Sequence, residues 1–182
     1  MKLKLIYSFL YSQIYLRLFG VRIGAKSFIV LPIGLIRNPK GLSIGDHSRI
    51  LYNSRIDLLT SWQGRKFSPL VFIGNNVNIG QNLFLSCVNL IKIDDGVLVS
   101  DNVAFVDNDH VHIMGMSASK TALEYNEIII EKNVTIYRNC TILSGTVLGE
   151  NSVVAANSVV RGVFPSNVLV GGVPAKILKY YD

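Results

Sequence analysis

An aliphatic side chain recurs at every sixth residue in the C-terminal part of the chain: Ile130, Ile136, Ile142, Leu148, Val154 and Val160. Four residues after each of the first five stands Val134, Cys140, Thr146, Ser152 or Ser158. An interval of six matches neither the helical nor the strand period. It matches a chain wound into flat-sided triangular coils, three hexads to a turn. The large residue then fills the interior of the prism, and the small one fits the corner where the chain turns. The sixth hexad breaks the rule with Phe164. The fold class this predicts is an all-β solenoid, a parallel β-helix.

The pattern begins much earlier. Ile23-Gly24-Ala25-Lys26-Ser27 opens a hexad and Ile29 follows six residues on. Ile44, Ile50 and Ile56 continue it, then Ile73, Ile79 and Leu85, then Ile93, Val99 and Phe105, after a slip of two between Ile91 and Ile93. Two stretches interrupt the register. Residues 59–70 hold Trp62, Gly64, Arg65, Lys66 and Pro69; residues 111–127 hold Met114, Met116, Ser117, Ser119 and Lys120. Both read as loops projecting from the prism. Residues 21–172 therefore form one domain of about six or seven coils, on the order of 30 Å long at the parallel-strand spacing. Spacing does not set the hand, and the general rule favours right-handed crossovers.

A bare terminal coil is an open sheet edge, so both ends need a cover. In residues 1–20, Lys2 and Lys4 precede an apolar run from Leu5 to Leu16, and Arg17 follows. This predicts an amphipathic helix. No small-x-small cleavage pattern follows it, and the run is short and carries Ser8, Ser12 and Gln13, so neither a signal peptide nor a membrane span is expected. The helix either lies on an anionic membrane surface or caps the solenoid and packs between subunits. At the other end Gly171-Gly172-Val173-Pro174 stops the hexads. Residues 173–182 are expected to form the cap at that end, with Ala175 to Asp182 folding across it as a short helix.

Of 182 residues, 49% are apolar and 16% charged, with a net charge of +6. That balance points to anionic partners such as nucleotide phosphates or a membrane surface. No basic run interleaved with aromatics is present, so nucleic acid is not an expected partner. Cys87 and Cys140 are far apart and form no CxxC pair. They read as reduced thiols of a cytoplasmic protein, peripheral on the inner face of the cytoplasmic membrane if the helix binds lipid.

From Ile128 to Lys179 the chain reads IIIEKNVTIYRNCTILSGTVLGENSVVAANSVVRGVFPSNVLVGGVPAKILK, and from Val99 to His112 it reads VSDNVAFVDNDHVH. These segments resemble the bacterial hexapeptide-repeat O-acetyltransferases, which include galactoside and maltose acetyltransferases and enzymes acetylating capsule, O-antigen and exopolysaccharide sugars. The most specific markers are Val153-Val154-Ala155-Ala156-Asn157-Ser158-Val159-Val160 and the closing Gly172-Val173-Pro174-Ala175-Lys176. The resemblance spans roughly residues 70–180. It implies a left-handed β-helix, a homotrimer, and acetyl-CoA bound as acyl donor in the groove between neighbouring prisms. The chain departs from the family at Thr135-Ile136-Tyr137 (Trp-Ile-Gly in the family), at Arg138 (a small residue) and at Arg161-Gly162 (Thr-Lys). These positions line the expected groove.

Acetyl transfer to a sugar hydroxyl needs a base, because a thioester is already activated whereas a protonated hydroxyl is a poor nucleophile. Imidazole suits that task. The chain has His47, His110 and His112. His110 matches the family's catalytic histidine; otherwise it reads as a solvated loop residue. His112 reads as surface and His47 as structural. Asp107 and Asp109 flank the site, either to orient the imidazole or hold acceptor hydroxyls, or to cap loop N–H groups. Asn89, one coil earlier, stands where family members carry an acceptor contact; its other reading is a turn Asn stacked along the helix. Trp62, beside Arg65 and Lys66, either stacks on a sugar or covers the prism. For the acyl donor, the resemblance assigns Ser144, Gly145, Ala155 and Ala156 to the pantetheine arm and Arg161 and Lys176 to the phosphates. Small residues there also suit plain coil packing, and the two cations plain solvation. No metal is implied.

The function this supports is acetyl transfer from acetyl-CoA to a hydroxyl of a surface polysaccharide or its precursor. The alternatives are N-acetylation of a nucleotide-linked amino sugar, a zinc-dependent carbonic-anhydrase-like protein using the three histidines, or a scaffold without activity.

Overall fold

A computed structural model describes residues 2–182. Met1, which the expected N-terminal helix includes, lies outside the described residues. The chain winds into a triangular prism of six complete coils and two sides of a seventh. The first face stacks Arg22–Ile23, Leu42–Ile44, Leu70–Ile73, Leu90–Ile93, Ile128–Ile130, Val147–Leu148 and Val163–Phe164. The second stacks Phe28–Ile29, Arg49–Ile50, Asn78–Ile79, Leu98–Val99, Thr135–Ile136, Val153–Val154 and Val168–Gly172. The third stacks Leu35–Arg37, Arg55–Leu58, Phe84–Cys87, Ala104–Val106, Thr141–Leu143 and Val159–Val160. Neighbouring coils pair in parallel and in register, so that Ile79, Val99, Ile136 and Val154 form one inward ladder.

The hexad rule has a direct physical basis here. Every large residue from Ile130 to Val160 is fully buried in the prism, while Phe164, in the last, incomplete coil, is 8% exposed. The small corner residues are buried too, and their hydroxyls are satisfied. Ser152 Oγ donates to the carbonyl of Pro165, and Thr146 Oγ1 to that of Val160. A buried hydroxyl is tolerated on such terms. Next to the small residue, asparagines take the left-handed backbone: Asn102, Asn139 and Asn157 have φ of 58°, 60° and 60°. Their side chains hydrogen-bond coil to coil, from Asn82 through Asn102 and Asn139 to Asn157. The slip at Ile91–Ile93 is a longer side. Leu90–Ile93 extends that strand by one alternation, so both Ile91 and Ile93 point inward.

The two ends are closed differently. A helix, Lys2–Leu10, continues as a π-helical segment, Tyr11–Leu16, across the first coil. Its polar side chains do the capping. Ser12 Oγ accepts from Ile29 N at 2.9 Å, and Ser8 Oγ accepts from Leu31 N at 3.0 Å. Gln13 Nε2 donates to the carbonyls of Gly24 and Ser27, and Arg17 donates to that of Ile23. These bonds satisfy the first coil's otherwise unpaired edge.

At the C-terminus the expected short helix is absent. Ala175–Tyr180 is a strand that turns back antiparallel on Val168–Gly172. The alternation of Ala175 and Ile177, more buried than their neighbours, is a strand period. Gly171 permits the turn back, because a Cβ there would lie 3.0 Å from Ala155 Cβ and 2.8 Å from Leu178 Cδ1.

Candidate active site

Each corner recurs once per coil, so residues distant in sequence stack along one edge. The edge between the third and first faces carries both interruptions of the hexads. The first is a hairpin of Ser61–Trp62 against Arg65–Lys66; the second pairs Asn108–His110 with Leu123–Tyr125. The two hairpins clasp each other. Trp62 Nε1 donates to the Thr121 carbonyl at 2.9 Å, and Arg65 donates to Tyr125 Oη at 2.8 Å. Phe67 meets Tyr125 edge-on at 5.7 Å. The Trp62 ring lies 5.0 Å from the His110 ring, tilted by 62°.

His110 ends the rising strand of its hairpin and is exposed. Among the described residues, its imidazole makes no hydrogen bond. An imidazole carried on a hairpin strand and packed against an indole is held in orientation while its nitrogens stay open to solvent. His112 lies beyond the strand, exposed; His47 occupies a left-handed corner (φ 55°) between the first and second faces, on another edge. Among the described residues, no three His, Cys, Asp or Glu side chains gather as a metal-ligand group.

The two aspartates differ from the acceptor-binding role expected of them. Asp107 is fully buried, and its carboxylate accepts from Val88 N at 2.9 Å, Asn89 N at 2.8 Å, Asn108 Nδ2 at 2.9 Å and Cys87 Sγ at 3.2 Å. It caps the corner of the coil below and has no face toward an acceptor. Asp46, Asp95 and Asp101 cap Ala25, Asn75 and Gln81 N–H groups in the same way. Burial, reinforced by the Asp107 carboxylate, pushes the Cys87 thiol far above its ordinary range. It therefore stays protonated as a donor. Asp109 points away from the imidazole, as alternation along a strand requires, and pairs with Arg161 at 2.6 Å. Asn89 sits at the capped corner directly below this segment, half-buried, and joins no asparagine ladder. Trp62 is half-buried, with its N–H spent on Thr121 and its edge on His110.

The expected donor residues do not form one wall within a chain. Ser144 and Gly145 lie on the His110 edge, one coil below Arg161, whose Nε donates to the Ser144 carbonyl at 3.2 Å. Ala155 and Ala156 lie at the next corner, between the second and third faces. Lys176 pairs with Gly171, which packs on Ala155, and so belongs to that second edge. Each hexad turns the chain by a third of a revolution, so a separation of about eleven residues changes the edge, whereas one of seventeen keeps it. Arg161 is therefore engaged by Asp109 on the His110 edge, apart from Lys176. The cation that sequence reasoning left out of the donor set is Arg138, exposed directly below Ala155 and Ala156, with its carbonyl accepting from Asn157 N.

Residues 127–162 match the family described as bacterial transferase hexapeptide (six repeats). An Escherichia coli protein named as a lipopolysaccharide biosynthesis O-acetyl transferase, WbbJ, is 31% identical, covering 81% of this chain and 76% of that one. A hexapeptide-repeat acetyltransferase from Vibrio cholerae, solved with acetyl coenzyme A, superposes with a TM-score of 0.61 at 30% identity, over 91% of this chain and 73% of that one. AntD, an N-acyltransferase from Bacillus cereus solved with dTDP and 3-hydroxybutyryl-CoA, gives a TM-score of 0.77 at 23% identity, over 94% and 89%. At that identity it speaks for the fold alone.

Proposed function

This chain belongs to the bacterial hexapeptide-repeat acetyltransferases, left-handed parallel β-helix enzymes, and from that membership we propose that it acetylates a sugar hydroxyl of a surface polysaccharide (capsule, O-antigen or exopolysaccharide) or its precursor, with acetyl-CoA as donor. The observation that carries this reading is His110, presented by a braced hairpin at the edge where the small corner Ser144–Gly145 also lies. His110 removes the acceptor hydroxyl proton as that oxygen bonds to the thioester carbonyl carbon. The carbon–sulfur bond breaks, and the imidazolium returns its proton to the departing CoA sulfur.

The residues fit the donor's chemistry. A Cβ at Gly162 would meet no atom within 4 Å, and one at Gly145 would meet only Asn126 Cβ, at 3.7 Å, so the His110 edge stays thin enough for a narrow pantetheine arm. Exposed Arg138 and Lys176 offer cations for phosphates on the Ala155–Ala156 edge. Those two half-sites sit on different edges of one prism. The interface of a homotrimer sets one patch of a subunit against a different patch of the next, so it would join the two edges in one shared site. Asn89, at the corner one coil below the His110 segment, is the acceptor candidate left half-buried and outside the asparagine ladder, while Trp62 acts first through His110. A precursor still attached to a lipid would be met at the inner face of the cytoplasmic membrane, in keeping with the cationic N-terminal end of the chain.

The experiment is acetyl transfer from acetyl-CoA to a panel of hydroxyl and amino sugars, with wild type and His110→Ala. The expected result is transfer to a hydroxyl sugar, lowered at least about a hundredfold in the variant while CoA still binds. Full activity in the variant refutes the mechanism; transfer to amino sugars only refutes the O-acetyl assignment.

A further inference from the structure

The N-terminal helix is inverted relative to an ordinary surface helix. Helices on globular proteins bury their apolar stripe and show their polar one. Here Ser8 and Ser12 are fully buried and hydrogen-bonded to the first coil, and Gln13 is half-buried there. Leu16 joins the core and Tyr11 is half-buried against it, but the other apolar side chains face outward: Leu3 is 65% exposed, Ile6 54%, Ile14 59% and Leu18 79%. The aromatic rings of Tyr11, Tyr15 and Phe19 stack in succession along the same segment, at 4.9 and 4.5 Å. Polar side chains are thus committed to capping the prism, and among the described residues nothing covers the apolar surface they leave outside.

The charge is polarised toward the same end. Nine of the eighteen Lys and Arg but only two of the twelve acidic residues precede residue 59. That leaves a net charge of +7 on this end and −1 on the remainder. Arg22, Lys26 and Arg49 are exposed on the first two coils, beneath the helix. Exposed apolar side chains flanked by cations match an interface whose interior is apolar and whose headgroups are negative. Among the described residues no helix is long and apolar enough to cross a membrane, so the segment would lie in the plane of the surface. A groove of about 560 Å³ adjoins this end, lined by Phe19 and Lys40 on one side and Phe67 and Leu70 on the other. Phe67 in turn packs on Tyr125 of the His110 hairpin.

We infer that the N-terminal end of the prism, made of the outward apolar side chains of residues 3–19 and the cations of the first two coils, is a docking surface for an anionic lipid bilayer. It deepens the membrane-side reading of the acceptor and rests on it, but the base at His110 is independent of it. In a trimer with parallel prisms, three such surfaces face the same way and bind one membrane together.

The test is vesicle flotation of the full-length protein, with vesicles of phosphatidylcholine alone and of phosphatidylcholine with phosphatidylglycerol. Wild type is expected to float with the anionic vesicles at least about tenfold more than with the neutral ones, and less as salt rises. The double variant Ile6→Gln, Leu18→Gln removes exposed side chains that cap nothing. It is expected to lose flotation while acetylating a water-soluble sugar at the wild-type rate. Equal flotation of wild type and variant, or no flotation of either, overturns the inference. Self-association of wild-type trimers that the variant abolishes, without lipid binding, overturns it in favour of a second copy. Absence of acetyl transfer by wild type refutes the acetyltransferase reading instead, whatever the flotation result.

Discussion

Asp107 and His110 stand three residues apart and serve opposite ends. One turns inward to hold a corner; the other turns outward and is exposed. Removing the Asp107 carboxylate leaves the buried Val88 N–H and the half-buried Asn89 N–H without partners, so Asp107→Ala is expected to cost roughly 3 kcal/mol of stability, read by denaturant unfolding. Its capping role had a legible signal: Asp95, Asp101 and Asp107 recur at intervals of six, hence at equivalent corners. The Trp62 contact had none, because nothing in the sequence places residue 62 beside residue 110. In the proposed mechanism Trp62 positions His110, and Trp62→Ala is expected to lower kcat about tenfold, since small displacements of a base are costly. Trp62→Phe keeps the ring packing, loses only the N–H bond to Thr121, and should recover most of that rate. A change confined to the acceptor KM in both variants would instead make Trp62 a direct sugar contact.

Among the elements, the strands of the prism were readable and the excursions were not. A hexad announces a strand wherever an inward aliphatic residue is followed by a small corner residue. Residues 59–70 and 111–127 announced only that the rule was suspended. That both form hairpins, and that the hairpins clasp, depends on side chains such as Arg65 and Tyr125 meeting across the edge. The C-terminal segment misled for a similar reason. Eight residues with mixed polarity carry little period of their own, and the open edge of Val168–Gly172 recruited them as a strand. Deleting residues 175–182 should bare that edge. The expected outcome is concentration-dependent aggregation by light scattering, with a folded β spectrum retained; a monodisperse truncated protein would show the strand to be dispensable.

At the scale of the whole molecule, the prism sorts the chain by angle. Ser144, Gly145, Asp109, Arg161 and His110 share one edge; Arg138, Ala155, Ala156 and Lys176 share another. If two subunits complete each site, two different inactive chains should repair each other. Co-expression of His110→Ala with the double variant Arg138→Glu, Lys176→Glu should restore activity in mixed trimers to about a quarter of wild type, the share of interfaces pairing two intact halves in a random mixture. No recovery in verified mixed trimers would place the whole site within one chain.

The sequence alone determined the architecture and the reaction class, and it singled out His110 as the proposed base. An interval of six can be satisfied only by a coil that returns its aliphatic residues to a common interior, and His110 lies in a local motif that reads the same in any context. Tertiary structure decided the rest. It alone showed that the serines of the N-terminal helix face inward, that Asp107 is a cap, that Trp62 braces His110, and that the donor residues divide between two edges. Each of these rests on which residues meet across coils, and that is set by the angle at which the chain turns between hexads and by the excursions between them, neither of which any single stretch of sequence carries.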